Sequence, residues 1–173
     1  MNILEVIKNR RSIRKFKKQP IADDVMDDII TAAGYAPSAG NAQDYEFLII
    51  DDRKIMEEIT MIHPHALALE TADKAVVVLG NLDKEQFKGF WIQDCSAAAQ
   101  NLLLAAYSFG IGSVWCGIYP NEEREEAFGK LLCLPPNVVP FALIPLGYPD
   151  EKPEKKPRLY NDMVSYNAYG QRR

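Results

Sequence analysis

Residues 10–18 read RRSIRKFKK, so six of nine consecutive positions are positively charged. The chain of 173 residues nevertheless has a formal net charge of −4. Without these six, its 20 basic residues fall to 14 against 24 acidic ones. A chain this acidic has no general affinity for polyanions such as nucleic acids. The basic stretch therefore indicates a small local anion, such as the phosphate of a phosphorylated ligand.

Three side chains of this stretch have the chemistry to converge on one anion. Arg10 and Arg14 can donate paired, charge-assisted hydrogen bonds to phosphate, and Ser12 can add its hydroxyl and its backbone N–H. A solvated basic surface with scattered salt bridges explains the charge alone equally well. The neighbouring lysines, Lys15, Lys17 and Lys18, are expected to be solvated. The stretch becomes informative only together with other motifs.

Composition predicts one domain spanning residues 1–173. Hydrophobic residues make up 47% of the chain, which is enough for a core in a domain of this length. The first eight residues, MNILEVIK, lack the pattern of a signal peptide, so we expect a cytoplasmic protein. The longest apolar stretch, residues 92–109, is interrupted by polar residues and favours a buried helix over a membrane span.

Metal and disulfide sites have little support in the sequence. Cys95, Cys116 and Cys133 are far apart and odd in number, so we expect reduced and mostly buried thiols. His63 and His65 have a spacing that could place two imidazoles on one side of a strand. No third metal ligand accompanies them, and Pro64 is unfavourable inside a strand. Contact of either histidine with a substrate remains open.

Periodicity and capping residues predict helices mixed with strands, without strict alternation. Predicted helices cover residues 2–10, 23–34, 52–60, 93–109 and 121–132, and predicted strands cover residues 45–50, 74–80, 113–118 and 138–146. The helix over 93–109 is apolar on nearly every side, so either the core or a second subunit must cover it.

Five motifs occur in a characteristic order along the chain. They are RRSIRKF (10–16), APSAGNAQ (36–43), GIGSVW (110–115), IPLGYP (144–149) and KKPR (155–158). In this order they resemble the nitroreductase family of FMN-dependent oxidoreductases. The resemblance covers essentially the whole chain, and the ordered set is far more specific than any single motif.

The resemblance implies an α+β fold, a nitroreductase-like sandwich with a central, mostly antiparallel sheet flanked by helices. It also implies an intertwined homodimer with FMN bound in two clefts at the subunit interface. The C-terminal segment, residues 150–173, would be extended and could wrap around the partner subunit.

The resemblance further implies which residues contact the cofactor. The first motif would hold the phosphate and ribityl chain, the second would reach the flavin from the other subunit, the third would lie along the isoalloxazine, and the last would return to the phosphate. In the same order, these residues are Arg10, Arg11, Ser12 and Arg14; Pro37, Ser38 and Asn41; Ile111, Gly112 and Ser113; and Lys156 and Arg158. Gly112 would also allow the backbone to approach a flat ring closely.

In the implied reaction NADH or NADPH reduces the flavin at N5, and a nitroaromatic, quinone or related acceptor then reoxidises it. No side chain has to act as an acid or base, because the cofactor carries the hydride. One departure is that Asp44 and Tyr45 follow Gln43, where the family commonly has Pro-Trp. Two alternatives remain open: a non-catalytic flavin carrier or sensor, and an anion-binding regulatory module.

Overall fold

A five-stranded sheet forms the centre of the molecule. The computed structural model describes residues 2–154 and 163–172, so the predicted contacts Lys156 and Arg158 lie outside the described residues. The strands are β1 (Tyr45–Ile50), β2 (Lys74–Asn81), β3 (Gly112–Ser113), β4 (Cys116–Gly117) and β5 (Val138–Gly147). They are ordered β1-β2-β5-β3, and β4 also pairs with β5. Each of these four strand pairs is antiparallel, as predicted.

Helices pack on both faces of this sheet. The α-helices of the described residues are α1 (Ile3–Asn9), α2 (Asp23–Gly34), α3 (Arg53–Ile62), α4 (Trp91–Ser108) and α5 (Glu122–Leu131). Successive side chains of a strand point to opposite faces. Val76 and Val78 therefore pack in one core with α2 and α4, whereas Ala75 and Val77 pack in a second core with α3 and α5. This arrangement confirms the α+β prediction. None of the described helices has the length and apolarity to cross a membrane.

The segment that follows α1 joins the edge of the sheet. Asn2 caps α1 by accepting the N–H of Leu4, and the helix ends at Asn9. Residues 10–16 then run beside β3, where Ser12 and Ser113 form a parallel bridge and the Ile13 N–H donates to the Ser113 carbonyl at 3.0 Å. The first and third motifs are therefore directly hydrogen-bonded to each other.

Two glycines make this contact possible. A Cβ atom on Gly112 would lie 2.9 Å from the Cβ of Ile13, and one on Gly147 would lie 2.8 Å from the Cβ of Phe16. Neither distance is compatible with a side chain at the glycine. The space beside Gly112 is thus filled by Ile13, and this packing is the structural reason for a glycine at this position.

The predicted strand over 113–118 is wrong, because the structure divides it into β3 and β4. Val114 and Trp115 interrupt the pairing with β5. Opposite this break lies Pro145, which has no N–H to donate to the ladder. Trp115, at this interruption, is partly exposed.

Candidate functional site

A cleft of about 1200 Å³ opens next to the segment that follows α1. This volume slightly exceeds the roughly 300–1,000 Å³ typical of small-molecule sites. Four parts of the chain line it: the basic stretch, the turn after α3, the region from β3 to α5, and the loop after β5. The lining residues used below are Arg14, Lys15, His63, His65, Trp115, Cys116, Gly117, Arg124 and Glu151.

Arg14 supplies an available positive charge at this cleft. Its side chain is exposed, and it makes no ion pair with any residue in 2–154 or 163–172. Burial raises the pKa of Cys116 to about 11, and the charge of Arg14 opposes this increase. The guanidinium of Arg14 is therefore close to the buried thiol on the cleft wall. It can bind an anion without breaking an existing salt bridge.

The backbone that carries Arg14 is anchored by Glu151. The Glu151 carboxylate accepts hydrogen bonds from the N–H groups of both Arg14 and Lys15, the latter at 3.2 Å. This contact joins the basic stretch to the loop after β5. It uses the backbone donors and leaves the side chains of Arg14 and Lys15 exposed.

His63 is buried below the cleft and holds its backbone. The N–H of His65 donates to Nδ1 of His63 at 3.2 Å, so in the neutral ring the proton is on Nε2. This Nε2–H donates to the carbonyl of Gly117 at 3.0 Å, and Arg124 donates to the same oxygen at 3.1 Å. Burial lowers the pKa of His63, which favours the neutral ring. Both ring nitrogens are engaged within the protein, so His63 has none to offer to a metal.

Ser12 and Ser113 lie side by side where the first and third motifs meet. The Ser113 hydroxyl is buried and has no hydrogen-bond partner in the part of the chain that the structure describes. Buried hydroxyls are usually paired. This unpaired group lies next to the segment that carries Arg14, where a bound ligand could supply its partner.

Two of the predicted FMN contacts, Arg11 and Ile111, have side chains that interact within the protein. The guanidinium of Arg11 donates to the carbonyls of Lys8 and Arg10 at 2.8 and 2.7 Å, so it caps the end of α1. The side chain of Ile111 is buried in the core beneath α2 and α4. The backbone N–H of Ile111 donates to the Ala106 carbonyl at 2.9 Å. Arg10 follows directly after α1 and is half-buried.

The loop of residues 36–43 does not line this cleft in the described part of the chain. A 3-10 helix (Ala39–Asn41) shapes the loop, and the Ser38 hydroxyl accepts the N–H of Gln43 at 2.9 Å. Pro37 and Asn41 are exposed. One chain therefore does not bring these residues together with Arg14. The predicted contribution from a second subunit stays a prediction.

Sequence reasoning missed the cleft residues Trp115, Cys116, Gly117 and Arg124. The strand predicted over 113–118 hid the first three, because a continuous buried strand would not expose Trp115. A sequence signal was present in Pro145, which cannot donate in the middle of a sheet. Arg124 lies in an acidic helix and had no distinguishing pattern.

Comparison with known proteins gives consistent results along the chain. The sequence model described as "Nitroreductase family" matches residues 7–79 and 68–148. A Methanothermobacter thermautotrophicus protein named "Putative NADH dehydrogenase/NAD(P)H nitroreductase" is 43% identical over 88% of this chain and 80% of its own length. A crystal structure with the same name, from Parabacteroides distasonis, has a TM-score of 0.93 and 39% identity, covering 98% of this chain and 100% of that one.

A second similar structure contains a bound ligand. It is the NADPH:FMN oxidoreductase from Vibrio harveyi complexed with NAD+. Its TM-score is 0.88 at 29% identity, and the match covers 99% of this chain and 79% of that one. The similarity therefore includes the folded core as a whole and is not confined to the short motifs.

Proposed function

Because the chain belongs to the nitroreductase family, we propose that it is an FMN-dependent oxidoreductase that passes electrons from NADH or NADPH to nitroaromatic, quinone or related acceptors. The observation that carries this proposal is the exposed guanidinium of Arg14, unpaired within the described residues, on the wall of a cleft of about 1200 Å³. The named activity of the Vibrio harveyi relative, an NADPH:FMN oxidoreductase, supports the same chemistry.

Arg14 on the cleft wall and the segment that carries it fit a flavin mononucleotide, although Arg10, Ser12 and Ser113 do not themselves line the cleft. A dianionic phosphate needs cationic and hydroxyl donors, and Arg10, Ser12 and Arg14 bring both to one segment. The unpaired Ser113 hydroxyl offers a further buried donor at the same edge. The cavity is large enough for a tricyclic ring. We assign the phosphate and ribityl contacts to Arg10, Ser12 and Arg14.

The protein's own part in the reaction is to bind and orient. Bound FMN supplies the hydride-accepting and hydride-donating centre. His63 and Arg124 fix the Gly117 carbonyl, so the peptide on the cleft wall has one orientation. Trp115 presents a partly exposed aromatic surface, held edge-on against Phe141 with ring centroids 5.6 Å apart. That surface suits a flat acceptor or nicotinamide ring.

We further propose that the active form is a homodimer. A groove of about 630 Å³ lies between α1, α2 and α4. Its rim includes the exposed apolar side chains Ile3, Tyr35 and Phe109, and Tyr35 is 84% exposed. An apolar surface of this kind marks an interaction site. A second copy would cover it and could bring the loop of residues 36–43 to the cleft of its partner.

Flavin content and turnover test the proposed function. The purified full-length protein should be yellow, release FMN on denaturation, and bleach anaerobically when NADH or NADPH is added. Addition of a quinone or nitroaromatic should restore the yellow colour. A colourless protein that cannot be reconstituted with FMN would contradict the proposal. Bound flavin that neither nicotinamide reduces would instead identify a flavin carrier.

A further inference from the structure

Asp44 is a buried carboxylate without an evident partner. It lies just before β1, is 1% exposed, and no described residue donates a hydrogen bond to either of its carboxylate oxygens. A buried, isolated carboxylate is strongly disfavoured unless it is paired or neutralised. Asp44 also stands where the nitroreductase family, which this sequence resembles, commonly has proline. A neutral Asp44 therefore has to be explained by the residues around it in this chain.

The charged groups around Asp44 are themselves acidic. Asp94 in the first turn of α4 is 5% exposed and is close enough to act on Asp44 both by charge and by a side-chain hydrogen bond. Glu85, in the loop before α4, acts more weakly by charge and accepts the N–H groups of Gly89 and Trp91. No cation among the described residues acts on Asp44.

The uncharged titratable groups nearby are directed elsewhere. The Tyr45 hydroxyl is hydrogen-bonded to the carbonyls of Gly34 and Ala36 at 2.9 and 2.8 Å. The Cys95 thiol is directed to the carbonyl of Leu79 at 3.5 Å. Neither group neutralises Asp44. Within the described residues, a proton held between the two aspartates is what can neutralise Asp44.

We propose that Asp44 and Asp94 share one proton, and that this acid pair positions the loop of residues 36–43. The proton resides on Asp44, whose O–H donates a hydrogen bond to a carboxylate oxygen of Asp94. The other contact of Asp94 is the loop itself, because its Oδ2 accepts the N–H of Ala39 at 3.0 Å. Two buried carboxyl groups in hydrogen-bond contact cannot both be ionised cheaply, so one proton stays bound. The consequence for flavin binding rests on the function proposed above.

The pair makes the loop sensitive to rising pH. Burial raises the pKa of Asp44, and the charge of Asp94 raises it further. A raised folded-state pKa means that the folded protein holds the proton more tightly than the unfolded chain. Its contribution to stability is complete below the unfolded pKa of about 3.9 and is lost as pH rises through the folded pKa. The loop should therefore be held while Asp44 is protonated and loosen as pH rises through the folded pKa.

Asp44→Asn tests the shared proton directly. The amide keeps the size of the side chain and an N–H donor toward Asp94 but cannot titrate. The variant should match the wild type at pH 5 and melt about 3 °C higher at pH 9. The infrared spectrum of the wild type at pH 5 should contain the carbonyl band of a protonated carboxyl group, and the variant should lack it. The exposed Asp51→Asn is the matched control and should change neither measurement.

Two results would overturn the proposal. One is equal destabilisation of Asp44→Asn at every pH, which would mean that Asp44 is ionised and paired with a cation, for example from a second copy. The other is no difference between the infrared spectra of wild type and variant. If Asp44→Asn does not fold, Asp94→Asn provides the same test. Its amide can donate to Asp44 while its oxygen still accepts the N–H of Ala39, so the pKa of Asp44 should fall and the band should weaken at pH 5.

The affinity for FMN tests separately whether the acid pair affects flavin binding through the loop of residues 36–43. Between pH 5 and pH 9 the dissociation constant of FMN should rise roughly fivefold in the wild type and stay constant in Asp44→Asn. A pH-independent affinity in both proteins, together with the expected infrared result, would refute the link between loop and flavin and leave the shared proton in place. A protein that binds no FMN at any pH would contradict the proposed function, and the infrared and melting results would still decide the shared proton.

Discussion

The side chain of Ile13 occupies the space that a Cβ atom on Gly112 would need, 2.9 Å from the Cβ of Ile13. This contact joins the basic stretch to β3, so the position of Arg14 depends on a glycine about a hundred residues away in the sequence. A side chain at 112 would push the basic stretch away from the sheet.

Gly112→Ala should therefore lower both stability and cofactor affinity. Overpacking of this kind typically costs about 1–3 kcal/mol in the free energy of unfolding. Chemical denaturation and an FMN titration would measure the two effects.

Gly129→Ala is the matched control, because a Cβ atom at Gly129 in α5 meets nothing within 4 Å. It should stabilise the protein by about 0.5–1 kcal/mol, since alanine favours the helix. Unchanged stability in Gly112→Ala would contradict the packing argument.

Arg14→Ala should weaken FMN retention without unfolding the protein. The guanidinium makes no ion pair within the described residues, so its loss removes no native salt bridge. Loss of a charge-assisted hydrogen bond costs about 1.5–3 kcal/mol, or roughly 10- to 150-fold in the dissociation constant. Fluorescence titration with FMN measures the affinity, and stopped-flow reduction of flavin-saturated protein measures hydride transfer, which should change much less.

Lys17→Ala provides the charge-matched control for Arg14→Ala. Lys17 is exposed and belongs to the same basic stretch, but it does not line the cleft. If both substitutions weaken FMN binding equally, the stretch acts through its overall field and Arg14 is not a direct contact. The same comparison applies to Arg158→Ala, which the resemblance assigns to the phosphate.

His63 should make the protein sensitive to mild acid. Burial lowers the pKa of His63, so the unfolded chain binds a proton at higher pH than the folded protein does. The stability that neutral His63 contributes is present above the unfolded pKa of about 6.5 and is lost as pH falls through the folded pKa. Melting temperatures measured from pH 7.5 down to 5 should fall more steeply in the wild type than in His63→Gln.

His63→Gln is suitable because its amide can still donate toward the Gly117 carbonyl. His63→Leu removes this donor and leaves Arg124 as the one side chain bonded to that oxygen among the described residues. We expect it to cost about 1–3 kcal/mol at every pH. Parallel pH profiles for wild type and His63→Gln would show that His63 does not titrate in this range.

Tyr35→Asp should separate the subunits of the proposed dimer. Tyr35 is 84% exposed at the rim of the apolar groove, and a buried charge there would be costly. A central interface residue contributes about 2 kcal/mol or more, so the dimer dissociation constant should rise at least about 30-fold. Sedimentation velocity would detect the change. Met61→Asp, at an apolar residue of α3 that is 83% exposed, is the control and should leave the assembly intact.

The secondary structure was predictable where local signals were strong. Asn2 as a cap, Gly34 as the last residue of α2, and the apolar run of β1 gave boundaries within about two residues of the structure. The α+β class and the family were also predictable, because the motifs recur in order. The single-domain assignment for residues 1–173 and the extended C-terminal segment stay predictions.

The site was less predictable because it depends on tertiary contacts. The charge of Arg11 indicates an anion, yet its hydrogen bonds go to the end of α1. Trp115 is exposed only because Pro145 in the neighbouring strand interrupts the ladder. Asp44 was visible as a departure in sequence, but its burial beside Asp94 arises from the approach of α4 to β1. No local sequence pattern predicts these contacts between segments that are distant in the chain.

The pairing of Ser12 with Ser113 also has a consequence for folding. The two residues are about a hundred positions apart, so closing this contact carries a large loop entropy and belongs to the slow, non-local part of the folding reaction. The edge on which Arg14 is presented therefore exists only after the chain has been synthesised beyond residue 113. A cofactor that binds at that edge would stabilise completely synthesised chains and would not bind shorter chains, in which the edge has not formed.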